Sequence, residues 1–318
     1  MEKNTQNLIG IGSALGASFF FTVNDATIKF LSGEYALHQI VMIRATIGLI
    51  FLLAVMMPLM GGFHQLHTQR LGLHILRGMC VVFANMAFFL GLSSLPIAEA
   101  TALFFVSPLA ITIFAVIFLK ETVGAHRWAA IAVGLVGVVL IIQPGAESFQ
   151  LAALLPVAAA FGYAALHTLT RKIGMAESAL TMTLYIQLTF IVVSVAMGIM
   201  FSDGRFAPGD STSMDFLLRE WVMPLRTDYK FLVLLGLAST VGGFLISQAY
   251  RLCEAGLAAP FEYLALPLSI FWGFVVFGEW PDAWAWAGIA LILGSGLYMG
   301  WREAVQGQPV VIRRPKRR

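Results

Sequence analysis

The chain has 318 residues, of which 59% are hydrophobic and only 12% are charged, and its formal net charge is +3 at neutral pH. A soluble domain carries about 25% charged residues because its surface must be hydrated, so this composition excludes an ordinary soluble globular protein. The two cysteines, Cys80 and Cys253, lie in apolar stretches. We interpret them as small packing residues rather than as a disulfide or a metal site.

Apolar segments long enough to cross a bilayer follow one another along the chain, since about 20 apolar residues span the hydrocarbon core. The segments are continuous rather than alternating, which favours helices over the strands of a barrel. The first segment is too long for the core of a signal peptide, so we predict a retained helix. The ten predicted spans cover residues 8–31, 38–60, 71–95, 97–119, 126–144, 149–170, 178–201, 230–252, 256–278 and 283–301.

The distribution of Lys and Arg predicts that both termini face the cytoplasm. In that orientation most of the 20 Lys and Arg residues lie at or near the cytoplasmic side, Arg77 and the five basic residues of the tail among them. An even number of spans leads to the same conclusion. The connection over residues 202–229 is long and rich in charged residues, and it would lie outside.

The two halves of the chain resemble each other, most clearly over residues 92–121 and 252–279. Each of these segments has an interior proline and a closing glutamate: Pro108 and Glu121 in the first, Pro267 and Glu279 in the second. Five spans per half is an odd number, so the second half must be inserted upside down relative to the first. We therefore predict an all-α membrane protein of two inverted five-helix repeats, residues 1–145 and 146–302, with a basic cytoplasmic tail at 303–318.

Three stretches carry a resemblance to a known family: FTVNDATIKFL, SLPIAEATALFFVSPL and YRLCEAGLAAPFEYLALPL followed by FGEWPD. They resemble the drug/metabolite transporter superfamily, specifically its EamA-type permeases, over roughly residues 8–302. The resemblance implies a central cavity lined by helices 1, 3, 4, 6, 8 and 9. It also implies a small cargo such as an amino acid, a nucleotide-like metabolite or a vitamin, with riboflavin-like and S-adenosylmethionine-like compounds among the candidates.

Two ionisable residues lie within the outer third of predicted spans, where each costs about 2.5–3.5 kcal/mol to insert. Asp25 is expected roughly 9 Å below the outer end of helix 1, and Arg44 at a similar depth in helix 2. They could form an outer gate or contact the substrate, with Arg44 suited to a carboxylate. Alternatively they form a structural ion pair, or Asp25 pairs with Lys29 one turn away.

The predicted spans of the second half also contain polar candidates near their inner ends, which would mirror the outer pair. Glu262 is the candidate for proton coupling, unless it only bonds neighbouring hydroxyls such as that of Tyr263. His167 could shuttle protons but could equally be a packing residue, and Gln187 lies at a similar depth.

Further side chains could face a cavity or hold helices together: Asn85, Tyr163, Gln248 and Tyr250. Pro108 and Pro267 are hinge candidates because a proline frees a backbone carbonyl within a helix. Paired phenylalanines at 88–89 and 104–105 would favour a flat, ring-containing cargo if they lined the cavity.

These observations favour a secondary active transporter of the bacterial inner membrane that moves a small metabolite by alternating access, with protons as candidate coupling ions. The alternative within this fold is an amino-acid or drug exporter. An intramembrane enzyme is a remote alternative, since no catalytic motif, metal site or cofactor site is evident. The basic tail is interpreted as an anchor to anionic lipid and not as a nucleic-acid site. Cargo identity, transport direction and oligomeric state are left open.

Overall fold

The computed structural model describes residues 2–60, 62–66, 68–119, 124–144, 150–173, 177–209, 212–252 and 261–306. Every regular element within these ranges is a helix, which confirms the all-α prediction. The α-helices are α1 (Glu2–Leu31), α2 (Leu37–Phe51), α3 (Leu71–Leu92), α4 (Ile97–Phe104), α5 (Ser107–Leu119), α6 (Ala125–Ile142), α7 (Leu154–Ile173), α8 (Ala179–Phe201), α9 (Thr212–Leu218), α10 (Tyr229–Leu252), α11 (Ala265–Trp272) and α12 (Ala283–Gln306). A π-helical segment, Leu52–Met56, joins α2 to Met57–Met60, and a second, Gly273–Phe277, continues α11.

Several of these helices have the length and composition of membrane spans. Five are long and apolar enough to cross a bilayer: Leu8–Leu31, Leu37–Met60, Leu71–Leu92, Ala179–Phe201 and Tyr229–Ala249. Four shorter apolar helices cover Trp128–Ile142, Leu151–Leu166, Ala265–Phe277 and Ala283–Met299. Large apolar side chains project outward from them, for example Leu59 at 79% exposure and Ile199 at 80%. Such an apolar exterior is suited to lipid contact.

The predicted span over 97–119 is interrupted, and the proline explains the interruption. Helix α4 ends at Phe104, and α5 begins at Ser107. Pro108 has no N–H to donate to the carbonyl of Phe104 four residues earlier, so the helical hydrogen-bond ladder stops there. Instead, Leu109 N donates to Val106 O at 3.0 Å, a tighter three-residue turn.

The same interruption occurs in the second half of the chain. Residues 261–262 are helical, Tyr263 and Leu264 form a turn, and α11 then begins at Ala265. Pro267 cannot donate to the carbonyl of Tyr263, which lies four residues before it. Both predicted hinge prolines therefore follow a real break in their helix, whereas hinge motion stays a prediction.

Helix packing follows a regular pattern across the two halves. Helix α1 packs along α10 and α3 packs along α7, while α6 packs along α12. Helix α2 contacts both α8 and α10, and α3 also contacts α8. Helix α5 packs on α7, α1 packs on α11, and α4 packs on α11. The buried core is thus formed mainly between helices of different halves.

Candidate functional site

Arg44 is the centre of a buried polar cluster formed by the first three helices. Its side chain is 3% exposed. One terminal nitrogen donates to Asn24 Oδ1 at 3.3 Å, and the other donates to Asn85 Oδ1 at 3.2 Å. Asn24 lies on α1 and Asn85 on α3, so the arginine on α2 connects three helices. The structure thereby brings together two of the residues predicted from sequence, Arg44 and Asn85.

Asp25 belongs to the same cluster, but its position differs from the expected ion pair. Asn24 Nδ2 donates to Asp25 Oδ1 at 3.1 Å, so the asparagine lies between the carboxylate and the guanidinium. Within the part of the chain that the structure describes, no ion pair shorter than 4.0 Å joins Asp25 to Arg44. The two residues thus belong to one cluster, whereas the intervening amide was not foreseen.

Two phenylalanine rings flank the guanidinium of Arg44. The ring centroid of Phe190 lies 5.0 Å from its Cζ atom, and that of Phe89 lies 5.6 Å away. Both distances are within the range of cation–π attraction, which is stronger where water is excluded. Arg44 Nε is buried and has no hydrogen-bond partner among the residues that the structure describes. The cluster therefore combines a charged donor, two side-chain amides and two aromatic faces.

A row of aromatic rings leads away from this cluster; we call Phe89, Phe88, Phe104 and Tyr163 the aromatic row. The successive ring centroids are 5.4, 5.3 and 5.1 Å apart, with tilted or edge-to-face orientations. These are favourable separations for aromatic pairs. The row crosses from α3 through α4 to α7 and so passes from the first half of the chain to the second.

At its far end the aromatic row meets a second polar group. Tyr163 is within electrostatic range of both Glu262 and Arg77. Arg77 is only 5% exposed, and its Nη1 donates to Met182 O at 3.3 Å. The sequence interpretation placed Arg77 at or near the cytoplasmic side, which stays a prediction; the structure adds that its side chain is buried between α3 and α8. Glu262 accepts a hydrogen bond at its backbone carbonyl from Ser18 Oγ at 3.4 Å.

Tyr263 and Gln187 are predicted site residues whose contacts hold helices together. The ring of Tyr263 is 6% exposed and lies 4.8 Å from the ring of Phe105. A side chain added at Gly296 would overlap the Tyr263 hydroxyl, so Tyr263 packs tightly against α12. Gln187 Nε2 donates to Thr240 Oγ1 at 2.9 Å and joins α8 to α10. The described contacts of these two residues are therefore those of side chains that pack helices together.

The structure describes less of the three remaining candidate residues. Gln248 is half-buried on α10. The backbones of His167 and Tyr250 belong to α7 and α10, but their side chains lie outside the described part of the structure. Their proposed roles therefore stay predictions.

An ion pair closes the end of the bundle where α1 finishes. Lys29 Nζ lies 2.5 Å from Glu279 Oε1 and donates to Leu95 O at 2.5 Å. Glu279 Oε2 accepts from the backbone N–H of Ile97 at 3.1 Å, at the start of α4. Lys29 therefore pairs with the closing glutamate of the second half and not with Asp25, and the pair connects both halves.

The long connection, residues 202–228, covers this same end of the bundle. Gln39, at the start of α2, exchanges two hydrogen bonds with the backbone of Val222, at 2.6 and 3.3 Å. Tyr35 donates to Asp228 Oδ2 at 2.6 Å and accepts from Leu225 N at 3.0 Å. Burial and the hydrogen bond to Asp228 raise the pKa of Tyr35, so its hydroxyl remains a donor at neutral pH.

Helix α9 within the long connection is anchored on α3. Ser213 Oγ donates to Leu90 O at 2.6 Å and lies 2.8 Å from Ser94 Oγ. Phe216 is 1% exposed, and Trp221 packs against His38 with ring centroids 5.5 Å apart. These contacts tie the long connection to the ends of α2 and α3.

Several residues of this site were missed by sequence reasoning. Asn24 and Phe190 contact Arg44, and Arg77 lies near Tyr163. An available signal for Arg77 was its place seven residues inside an apolar segment that begins at Leu71. The asparagine was adjacent to a predicted site residue, but nothing in the sequence indicated that it would separate Asp25 from Arg44.

Comparison with known proteins connects this geometry to transport. Residues 8–143 match the EamA-like transporter family. A riboflavin transporter of Vibrio cholerae is 29% identical over 88% of this chain and 89% of its own length. A riboflavin transporter of Rhizobium johnstonii is 31% identical over 75% and 73%, respectively. An S-adenosylmethionine uptake transporter of Rickettsia bellii is 29% identical over 93% and 94%.

A solved crystal structure shares the overall fold. It aligns with a TM-score of 0.61 and 19% sequence identity, and the alignment covers 96% of this chain and 99% of that chain. At this level of identity the likeness concerns the fold alone.

Proposed function

Because the chain belongs to the EamA-like transporter family, we propose that this small-metabolite transporter takes up a ring-containing compound across the bacterial inner membrane by alternating access. The observation that carries the proposal is the aromatic row, which joins a polar cluster at Arg44 to a second polar group at Tyr163. Aromatic faces stack on flat rings, and polar groups at both ends can fix the ring edges.

The helix packing supports two inverted repeats. If α1, α2, α3, α4–α5 and α6 correspond to α7, α8, α10, α11 and α12, the most extensive contacts between halves have counterparts. The pair α1 and α10 then corresponds to α7 and α3, and α5 with α7 corresponds to α11 with α1. Inverted repeats of this kind place the substrate site between the halves near the bilayer midplane. The aromatic row crosses between the halves in the same way.

The long connection and the Lys29–Glu279 pair support a state closed at one end. With both termini in the cytoplasm, as the positive-inside rule predicts, this closed end faces outside. Substrate could then reach Arg44 from outside only after the contacts of Gln39 and Tyr35 with the long connection separate. Glu262, near the other end of the aromatic row, is the proposed proton-coupling residue.

Uptake of riboflavin into proteoliposomes that contain the purified protein tests the proposed function. We expect saturable, protein-dependent uptake of labelled riboflavin, and we expect Arg44→Ala to reduce it by at least about tenfold because the central donor is lost. Arg205→Ala is the matched control, since Arg205 is exposed and pairs with Asp203 at the surface. Absence of uptake of riboflavin, S-adenosylmethionine and related ring compounds by well-folded protein would argue against the proposal.

Crosslinking the long connection to α2 tests whether the outer end must open. We expect a Gln39→Cys, Val222→Cys pair, in a background with Cys80 and Cys253 replaced by alanine, to lose uptake when joined by a short cleavable bismaleimide. Cleaving the linker should restore it. The physical reason is that Gln39 and Val222 are directly hydrogen-bonded in the closed state. The single-cysteine variants, treated in the same way, control for labelling; full uptake by the crosslinked protein would contradict the gate.

A further inference from the structure

The charge of Arg44 is not neutralised by direct contact with a carboxylate. Its terminal nitrogens donate to the neutral amide oxygens of Asn24 and Asn85. Asp25 is held on the far side of Asn24 by the amide nitrogen of that residue. Among the described residues, no carboxylate lies within ion-pair distance of Arg44. The guanidinium therefore has no carboxylate in direct contact among the described residues, and Asp25 attracts it only across the intervening amide.

Arg44 also has one hydrogen-bond donor for which the described part of the chain provides no partner. Nε is buried, and the whole side chain is 3% exposed. A buried donor of this kind is unfavourable until an acceptor reaches it. The rings of Phe89 and Phe190 lie against the same guanidinium, with centroids 5.6 and 5.0 Å from Cζ. A ring compound that carries carbonyl oxygens or ring nitrogens on its edge supplies such an acceptor.

We infer that the Asn24–Arg44–Asn85 cluster selects an uncharged or anionic ring compound with acceptor atoms on its edge and rejects a permanently cationic one. Asn24 is the specificity residue, because its neutral amide separates Asp25 from Arg44 and so keeps the guanidinium out of direct contact with a carboxylate. This inference rests on the proposed function. It distinguishes between the two cargoes named for the relatives, since riboflavin is uncharged and has two ring carbonyls, whereas S-adenosylmethionine is a net cation, with a sulfonium and an ammonium group against one carboxylate.

Uptake of the two labelled compounds, riboflavin and S-adenosylmethionine, by the same proteoliposomes tests the inference. We expect the wild-type protein to prefer riboflavin by at least about tenfold at equal concentrations. Asn24→Asp places a carboxylate directly on the guanidinium at almost unchanged volume and should reduce this preference by at least about tenfold. Asn85→Asp places a carboxylate on the other terminal nitrogen and should reduce the preference in the same way. If one variant fails to fold, the other still tests the inference.

The controls separate specificity from stability and from the proposed function. Gln150→Glu adds a carboxylate at an exposed position away from the cluster and should leave the preference unchanged. Wild-type protein that moves S-adenosylmethionine as well as riboflavin would overturn the inference while transport stands. The same conclusion follows if both asparagine variants insert, transport and keep the wild-type preference. Wild-type protein that moves neither compound nor a related ring compound would instead contradict the proposed function.

Discussion

Replacing Gly288 by leucine is expected to separate α6 from α12 and to destabilise the protein by about 3 kcal/mol or more. A Cβ atom at Gly288 would lie 2.6 Å from the carbonyl oxygen of Gly137 and 2.5 Å from Ile141 Cγ1. A Cβ atom at Gly137 would in turn lie 2.8 Å from the carbonyl oxygen of Gly288. The two backbones therefore touch at this crossing, and neither glycine leaves room for a side chain. In lipid such close packing is a principal attraction between helices.

Thermal unfolding of the purified variants in lipid or detergent checks this expectation. Gly294→Leu is the matched control on the same helix, because a Cβ atom there meets nothing within 4 Å and the residue is exposed. Both variants change helix propensity equally, so their difference reports the crossing alone. Equal losses of stability would show that the glycine contact is unimportant. Since α6 and α12 contribute no residue to the Arg44 cluster, uptake per folded molecule should persist in both variants.

The positions of the helices could be predicted from sequence because apolar length sets them. The predicted span 38–60 corresponds to Leu37–Met60, and the predicted span 178–201 corresponds to Ala179–Phe201. The break before Pro108 was predictable only in part, since the missing N–H indicates an interruption but not the residue at which α4 stops. The number of spans, their inverted arrangement and their orientation stay predictions.

The sequence predicts how far along its helix each candidate residue lies, but it does not predict which side chains that residue contacts. The rise of a helix is fixed, so Asp25 and Arg44 could be expected at one level. The direction of each side chain around its helix axis depends on packing against other helices, and packing placed Asn24 between them. For the same reason Lys29 reaches Glu279, 250 residues away in sequence, instead of the aspartate one turn below.

The ion pair of Lys29 and Glu279 gives the second large expected effect. We expect Lys29→Met to destabilise the protein by about 3 kcal/mol, because it leaves a partly buried carboxylate without its partner. The side chains are 10% and 26% exposed, so water can compensate only in part. Glu279→Gln should cost less, since the amide oxygen can still accept from Ile97 N.

Unfolding temperatures of Lys29→Met, Glu279→Gln and the double variant form a thermodynamic cycle that isolates the interaction. We expect the double variant to be more stable than the sum of the single losses predicts, because removing both charges leaves neither unpaired. Arg205→Ala is the control, since its pair with Asp203 is 65% and 52% exposed and is expected to contribute less than about 1 kcal/mol. Additive losses in the cycle, or an equal loss in the control, would show that the pair does not hold this end closed. A coupled pair would instead mean that opening this end of the bundle must break a partly buried ion pair between the halves, so that charge as well as helix packing favours the closed state.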